Sequence, residues 1–303
     1  MKKTYIIEDD YTNTRFDKWL KSKFQGIPQS LIEKHIRKKN IKINNQKIKS
    51  SYKLKKNDEI IIRNLFYKPS KLTNEKYFYK GSKKEFTSLS KMFIEDNENF
   101  VVLNKPSGIS VQQGTKSKRN IIDILKGTDQ FKNLSPYPVH RIDKETTGIL
   151  VVAKNRKYAQ IFTYLFRARK IYKTYLGIVV GKFNNNKGTL TDELFYYEKN
   201  KKISTKAITH YSVLDSNNNY SFIKLNPETG RKHQIRKQLL IHGCPILGDS
   251  KYRISLNKKN KKEFLMLHAY KINFSINNTK YSFFAEPPTE FKKNLKEKYL
   301  KNF

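Results

Sequence analysis

Arg141 and Asp143 are the residues of this sequence best suited to chemistry. They precede Thr146-Thr147-Gly148 and an apolar run that predicts a buried strand. A charged pair before a glycine turn and a strand describes a carboxylate held on a tight loop at the mouth of a sheet. An adjacent arginine favours the ionised carboxylate, which can act as a nucleophile, a base or a ligand. Because an isolated Arg-x-Asp pair more often only caps a turn, the interpretation depends on the rest of the chain.

The segment His140–Gly148, H-R-I-D-K-E-T-T-G, resembles the H-R-[LI]-D-x-x-T-[ST]-G motif of the RluA family of pseudouridine synthases. The resemblance implies that Asp143 is the essential catalytic residue, and Thr147 replaces the commoner serine while keeping its hydroxyl. Further family motifs occur in the family order: N-K-P-S-G at 104–108, K-T-Y at 173–175, T-G-R-K-H-Q-I-R at 229–236 and G-C-P-I-L-G-D at 243–249. By the same resemblance, the N-K-P-S-G segment supports the catalytic loop.

The motif at 229–236 supplies the expected partners of the carboxylate. The resemblance implies that Arg236 pairs with Asp143, while Arg231 and His233 help to hold the loop. An arginine suits this position because its guanidinium does not deprotonate. Two residues depart from the family pattern, since Gln238 and Cys244 each stand where histidine is usual.

Pseudouridine formation breaks the N1–C1′ bond of a uridine, turns the base, and rejoins it through C5. Because no oxidation occurs, we expect neither a cofactor nor a metal. The target base must leave the stack, and the resemblance implies that Arg141 fills the gap and Tyr175 stacks on the base. A tyrosine in a strand is by default a packing residue. The sequence leaves open whether Asp143 attacks C1′ or abstracts a sugar proton.

Composition also favours a nucleic acid partner. The 303 residues include 63 Lys plus Arg against 26 Asp plus Glu, a formal charge of +37, and basic side chains displace the counterions of phosphates. Part of this charge reflects a compositional bias toward lysine and asparagine. The single cysteine excludes an internal disulfide, and no apolar run approaches the ~20 residues that span a bilayer. We therefore expect a cytoplasmic monomer that binds RNA and no membrane.

Residues 14–63 predict a compact basic module. A first helix runs from Phe16 to Phe24 and ends by Gly26-Ile27-Pro28, and a second starts on a Ser30–Glu33 capping box and runs to about Lys39. Strands follow at 41–43 and 59–62. This arrangement resembles the small S4 RNA-binding domain nearly end to end, which implies that three exposed basic residues contact RNA phosphates, namely Arg37, Lys38 and Lys39. A basic helix face that only meets solvent is the plainer alternative.

Residues 64–97 predict a linker with a lead-in helix, and 98–303 a catalytic domain. The patterns predict helices at 156–168, in the segment ending at Gly243, and at 289–300, and strands at 171–181, 207–214 and 220–225. Residues 184–202 are polar and are expected to be exposed. The fold class implied by the resemblance is α+β, with a catalytic domain on a mixed, largely antiparallel sheet.

The expected function is isomerisation of specific uridines to pseudouridine in large-subunit (23S) ribosomal RNA. The combination of an S4-like module with the catalytic motifs resembles family members that modify large-subunit ribosomal RNA, and the resemblance implies this substrate. One alternative is the same reaction on transfer RNA, which the sequence does not exclude because target choice depends on RNA shape. Another is a non-catalytic ribosome-assembly factor, and the intact set of Asp143, Tyr175 and Arg236 argues against it. Which uridines are modified is not predicted.

Overall fold

The computed structural model describes residues 2–24, 27–67, 81–113, 119–132, 134–198, 201–254 and 263–301. The chain divides into two compact units, Met1–Tyr77 and Phe78–Phe303. The predicted boundaries at 14–63, 64–97 and 98–303 stay predictions. Residues 68–80 of the predicted linker and lead-in lie outside the described residues. No helix in the described part of the chain combines the length and apolar character needed to cross a bilayer.

The first unit packs two helices on a three-stranded antiparallel sheet of order β1-β3-β2. Its elements are β1 (Lys2–Ile6), α1 (Phe16–Lys23), α2 (Gln29–Arg37), β2 (Ile41–Ile43) and β3 (Glu59–Arg63). Trp19 and Ile32 are buried between the helices and the sheet. The predicted helices and the strands at 41–43 and 59–62 are confirmed, whereas β1 was not predicted.

The predicted capping box at Ser30 is wrong. Helix α2 begins at Gln29 with Pro28 as its N-cap, and no side-chain cap bond is made. Pro28 has the extended backbone usual for an N-cap residue, with ψ of 144°, and its carbonyl oxygen accepts from the amide of Ile32. Helix α1 ends at Lys23; Gly26, at the predicted end, lies outside the described residues.

The second unit is built on a ten-stranded sheet. Its elements are α3 (Lys83–Ser90), β4 (Phe93–Asp96), β5 (Phe100–Lys105), α4 (Ile121–Leu125), β6 (Tyr137–Pro138), β7 (Thr147–Ala153), α5 (Arg156–Arg167), β8 (Tyr172–Val180), β9 (Lys187–Glu198), β10 (Lys201–Ser216), β11 (Tyr220–Pro227), α6 (Gln234–Ile241), β12 (Leu267–Ile276), β13 (Thr279–Phe284) and α7 (Thr289–Glu297). The predicted α+β fold class is confirmed.

The main path of the sheet runs β4-β5-β7-β12-β8-β11-β10-β9, with β13 beside β12 and β6 beside β7. Among the described strands, β7 and β12 form a parallel pair and the other pairs are antiparallel. This confirms the mixed, largely antiparallel sheet. Helix α5 covers one face, where Phe162 packs against Phe100 and Phe274.

Two parts of the second unit differ from the sequence interpretation. Strand β4 lies within the segment predicted to be a linker and lead-in helix, although the helix itself is confirmed as α3. Residues 184–202, expected only to be polar and exposed, include β9, which pairs with β10 along its whole length. The strand was hidden because the buried apolar residues among its described side chains are only Leu190 and Leu194, so the usual alternation is diluted by polar side chains.

Candidate active site

The loop that carries Asp143 enters the centre of the large sheet. It leads directly into β7, whose seven residues are all buried. Strand β5 runs antiparallel to β7 with Lys105 opposite Gly148, so the N-K-P-S-G segment after β5 meets the loop before β7. Strand β8, which carries Tyr175, lies one strand further across the sheet, beyond β12. The topology therefore gathers three of the sequence motifs near one another in the central part of the sheet.

Lys105 anchors the loop from below. Its side chain is fully buried, and its Nζ donates to three backbone carbonyl oxygens, those of Pro106 (2.8 Å), Ile109 (3.0 Å) and Lys144 (3.1 Å). Burial lowers the pKa of Lys105 to about 7. Nearby, the Ser107 hydroxyl donates to the carbonyl oxygen of Glu145 at 2.9 Å. The main chain on the C-terminal side of Asp143 is thus fixed by the preceding motif, as the resemblance implies.

A buried threonine and histidine secure the C-terminal end of the loop. The Thr147 hydroxyl lies 2.8 Å from Nδ1 of His268, and Nε2 of the same ring lies 2.9 Å from the carbonyl oxygen of Ala285. A carbonyl oxygen can only accept, so Nε2 carries the proton and Nδ1 accepts from Thr147. Burial lowers the pKa of His268 to about 4. The hydroxyl that Thr147 shares with serine therefore binds a neutral, fully buried histidine.

His140 holds the N-terminal end of the loop, and its ring is the tautomer opposite to that of His268. Its Nε2 accepts the amide hydrogen of Val151 at 2.8 Å, and its ring stacks on Phe166 with centroids 4.9 Å apart. Because Nε2 is the acceptor, the proton of the neutral ring sits on Nδ1. Burial lowers the pKa of His140 to about 3, so the ring stays neutral at ordinary pH. The loop is therefore tied at both ends to fixed backbone positions.

Arg236 approaches Asp143, but its main partner is a different carboxylate. Its Nη1 lies 3.4 Å from Oδ2 of Asp143 and 3.7 Å from Oε2 of Glu145. In contrast, Nε and Nη2 each donate to a carboxylate oxygen of Asp249 at 2.7 Å. The Arg236 side chain is 4% exposed and that of Asp249 0%. The predicted pairing with Asp143 is thus a long contact beside a bidentate one that the sequence did not predict.

The buried pair is held in its charged state from both sides. Burial alone would lower the pKa of Arg236, but the hydrogen bonds and charge of Asp249, with a further contribution from Asp143, raise it above the ordinary value. Burial would likewise raise the pKa of Asp249, and donors from Arg236 and two backbone amides outweigh it and lower the pKa. A cation beside Asp143 is therefore permanent at any pH at which the protein is folded.

His233 lies beside the carboxylate oxygen of Asp143 that Arg236 does not approach. Its Nε2 lies 3.6 Å from Oδ1 of Asp143, and its Nδ1 lies 2.8 Å from the hydroxyl oxygen of Tyr252. Burial lowers the pKa of His233, as do Arg236 and nearby lysines, while Asp143 acts against them. The residue adopts the left-handed conformation at the N-terminus of α6, with φ of 54°. That backbone turn aims the ring at the carboxylate.

Tyr175 lies in the same cleft, a cavity of about 650 Å³. Burial, with a contribution from the charge of Asp143, raises the pKa of Tyr175, so its hydroxyl stays protonated. The cavity is also lined by Arg141, which is exposed at the rim, and by Arg231. The side chain of Asp143 is 18% exposed. A planar ring and an accessible carboxylate thus face one space that is large enough for a nucleobase.

The loop before α6 is shaped by a buried glutamine. Gln234 accepts from the amide of Arg231 at 3.0 Å and from the hydroxyl of Thr229 at 2.7 Å. The Arg231 Nε donates to the carbonyl oxygen of Lys206 at 3.2 Å. Gln238, where histidine is usual, is fully buried, and its amide nitrogen donates to the carboxylate of Asp192 at 2.8 Å. The substitution therefore serves packing between α6 and the sheet and does not touch the cavity.

The structure gathers six of the predicted site residues around one cavity, namely Arg141, Asp143, Tyr175, Arg231, His233 and Arg236. The other three belong to the first unit, where Arg37, Lys38 and Lys39 are exposed at the end of α2. Four more basic residues line the cavity and were not predicted as site residues, namely Arg167, Arg169, Lys173 and Lys232. Nowhere in the described residues do three or more His, Cys, Asp or Glu side chains form a group suited to a metal.

Two residues that contact the site were missed by the sequence interpretation, Asp249 and Tyr252. Asp249 ends the G-C-P-I-L-G-D motif, which was noted without a role for its carboxylate. A sequence signal existed, since a carboxylate directly after an apolar stretch has to be paired if it is buried. Nothing in the sequence marked Tyr252, because its contact with His233 depends on the fold.

The second unit is a mixed sheet that presents a carboxylate, an arginine and a tyrosine in a basic cleft. The same chain also carries a basic module of two helices and a sheet. Together these features define one class of enzyme. Two family models agree with this description. Residues 99–240 match RNA pseudouridylate synthase and residues 14–60 match the S4 domain. The chain is 34% identical to "Ribosomal large subunit pseudouridine synthase C" of Rickettsia conorii, over 87% of this chain and 89% of the relative.

Other comparisons agree. The protein of the same name from Buchnera aphidicola is 33% identical, over 88% of each chain. The solved structure titled "Human RNA Pseudouridylate Synthase Domain Containing 4" superposes with a TM-score of 0.62 at 27% identity, covering 71% of this chain and 96% of that one. The chain belongs to the RNA pseudouridylate synthase family and is a pseudouridine synthase with an N-terminal S4 domain. The family and the enzyme class expected from the sequence are thereby confirmed.

Proposed function

We propose that this enzyme converts uridines of large-subunit ribosomal RNA to pseudouridine, with Asp143 as its catalytic residue. The substrate is supported by the names of relatives that match nearly the whole chain, S4 domain included. The observation that carries the role of Asp143 is its place in the cavity, accessible and between Arg236 at 3.4 Å and His233 at 3.6 Å. Glu228, the other carboxylate that lines the described cavity, also has an arginine and a histidine beside it, but Arg169 and His210 are both more than half exposed, whereas the Arg236 side chain is 4% exposed.

The reaction needs a carboxylate at the ribose. Cleavage of the N1–C1′ bond leaves positive character at C1′, which a carboxylate stabilises or traps, and the alternative is removal of a sugar proton by the same group. The electron pair of the broken N1–C1′ bond stays with the detached uracil, which turns so that C5 bonds to C1′. The proton lost from C5 is balanced by one gained at N1, and any bond or proton that Asp143 took from the sugar is given back. Arg236, permanently charged, keeps a cation beside Asp143 throughout. Both routes need Asp143 ionised and open to the substrate.

The cavity also suits a base taken out of its stack. Extruding a nucleotide costs a few kcal/mol, and stacking on an aromatic ring returns about 1–3 kcal/mol. Tyr175 is the tyrosine that lines the cavity, and its protonated hydroxyl adds a donor. Arg141, exposed at the rim, can occupy the space the base leaves. Exposed basic residues that line the cavity, including Arg167 and Lys232, attract the phosphates on either side.

The test compares Asp143→Asn with a matched variant, Glu145→Gln, which removes a neighbouring carboxylate of the same loop. Unmodified large-subunit ribosomal RNA and a transfer RNA pool are each incubated with wild type and both variants, and new pseudouridines are mapped chemically. We expect discrete ribosomal positions with wild type and Glu145→Gln and none with Asp143→Asn, whose RNA affinity stays within about threefold.

Other outcomes have separate meanings. Activity retained in Asp143→Asn would refute the assignment of the catalytic residue. Modification confined to transfer RNA would refute the proposed substrate and leave the residue assignment intact. Tight binding with no modification of either RNA by the wild type would instead favour an assembly factor.

A further inference from the structure

We propose that Asp249 and Tyr252 are positioning residues of the active site: together they hold Arg236 and His233, the two side chains that flank Asp143, and keep Arg236 from closing a tight ion pair with it. The proposal rests on the proposed role of Asp143. It concerns a short segment, Asp249–Tyr252, that contacts both flanking side chains through different atoms.

The first half of the argument is the competition for Arg236. Two of its nitrogens are committed to Asp249 at 2.7 Å, and only Nη1 reaches toward Asp143, at 3.4 Å. A close arginine–carboxylate pair has N···O distances of about 2.7–2.9 Å. A guanidinium paired that closely to Asp143 would cover an oxygen that the ribose needs. Because Asp249 takes the bidentate contact, Asp143 keeps a nearby cation without being covered by it.

Asp249 is itself held in place, so it keeps the bidentate contact with Arg236. It is fully buried, and its Oδ1 accepts the backbone amides of Lys251 and Tyr252, both at 2.9 Å, in addition to the arginine. Three or more donors on one carboxylate leave it little freedom to rotate. The backbone turn that supplies these amides therefore sets where the guanidinium stands.

The second half concerns the tautomer of His233. Tyr252 places its hydroxyl 2.8 Å from Nδ1, and its ring lies against Arg236, with 5.1 Å from the guanidinium carbon to the ring centroid. If the hydroxyl donates to Nδ1, the single proton of the neutral ring sits on Nε2, which faces Asp143 at 3.6 Å. A neutral N–H directed at the carboxylate steadies the anion without a full charge. One residue thus fixes one flanking group through its hydroxyl and contacts the other through its ring.

Asp249→Asn tests the first half. An amide offers one acceptor oxygen where the carboxylate offers two, so Arg236 should move toward the remaining carboxylates. In a crystal structure of the variant we expect the Nη1–Asp143 distance to fall from 3.4 Å to about 2.8 Å. We expect the single-turnover rate to fall about 10- to 100-fold with RNA affinity within about threefold. An unchanged distance with an unchanged rate overturns the proposal.

Tyr252→Phe tests the second half and keeps the ring that contacts Arg236, so it should fold even if the buried pair tolerates no change. Nitrogen-15 NMR of labelled histidine reports the tautomer without any RNA. We expect wild-type His233 with its proton on Nε2 and a mixture in Tyr252→Phe, with a rate lowered about tenfold. Ser250→Ala, at an exposed residue between Asp249 and Tyr252, is the matched control and should change neither readout.

The outcomes separate the two levels of the argument. If the wild type modifies no RNA, the proposed function has failed, while the distance and the tautomer still report on positioning. If Tyr252→Phe keeps the wild-type tautomer and rate, Tyr252 is a packing residue and the proposal is overturned for it. A rate that falls only in proportion to the fraction of folded protein overturns it as well.

Discussion

Thr147 and His268 show how far from the carboxylate the site is supported. Thr147→Val keeps the shape of the side chain but leaves Nδ1 of a fully buried histidine without its donor. We expect a loss of about 1–3 kcal/mol in the free energy of unfolding. The matched variant Thr147→Ser keeps the hydroxyl and should lose about 1 kcal/mol or less, for one methyl group. Equal losses in urea denaturation would mean that the hydroxyl is not what matters.

The same histidine makes a prediction about pH. The pKa of His268 is lowered to about 4 in the folded protein, whereas an unfolded histidine titrates near 6.5. The unfolded chain therefore binds more protons between these values, so stability is lost as pH falls from about 6.5 toward 4. His140, with a pKa lowered to about 3, adds to the loss. We expect the melting temperature of His268→Gln to fall less steeply over this range.

If His268→Gln follows the wild-type slope, the acid sensitivity comes from other groups.

At this scale the sequence predicted a good deal of the candidate site. Six of the predicted residues line one cavity, because the loop before β7, strand β8 and the start of α6 meet there. Asp249 and Tyr252 were missed for a physical reason. A carboxylate is recognisable in a sequence, but whether it faces solvent or a buried arginine 13 positions away is decided by how a helix docks on the sheet.

Among the elements, the parallel strands β7 and β12 leave no room for a side chain where they meet at Gly148. Gly148 has φ of +104°, and a Cβ there would lie 2.2 Å from the carbonyl oxygen of Ala269 on β12. Gly148→Ala should cost at least about 4 kcal/mol, because backbone and not a flexible side chain is in the way. Gly108→Ala is the control, since φ is +85° there but nothing lies within 4 Å of the added atom.

The control variant should therefore show the backbone cost alone, about 1–3 kcal/mol. Chemical denaturation of the two variants separates a strained φ from a steric clash. Similar losses in both would mean that the two strands can part without penalty. That result would contradict the view that this pair positions the catalytic loop.

The elements that were predicted and missed follow a pattern. Strand β7 was predicted because its continuous apolar run has few other interpretations, and α5 because apolar residues recur at helical spacing. Strand β9 was missed because it is an edge strand with one sparse apolar face, and its partner β10 follows only after it in the chain. Hydrogen bonding to a neighbour, not local sequence, makes it a strand.

For the whole molecule, the open quantity is how much of the +37 charge acts on RNA. We expect the triple variant Arg37→Ala, Lys38→Ala, Lys39→Ala to reduce the slope of log affinity against log salt by about 2, since each phosphate contact contributes about 0.7–0.9. The charge-preserving variant Arg37→Lys, Lys38→Arg, Lys39→Arg should keep the wild-type slope. An unchanged slope in the alanine variant would show that this end of α2 meets only solvent.

The parallel pairing of β7 with β12 also has a consequence for the folding of the enzyme during its synthesis. Thr147 lies 121 positions before its partner His268, and Asn104 donates to the carbonyl oxygen of Glu286, 182 positions further along the chain. Contacts between residues this far apart in the chain form late and slowly, because the entropy of closing a long loop is lost before the contact stabilises the fold. During synthesis, the Asp143 loop therefore emerges from the ribosome well before the strand that fixes it. Catalytic competence should arise only when β12 and β13 have been made, so a partly synthesised chain cannot modify the RNA around it.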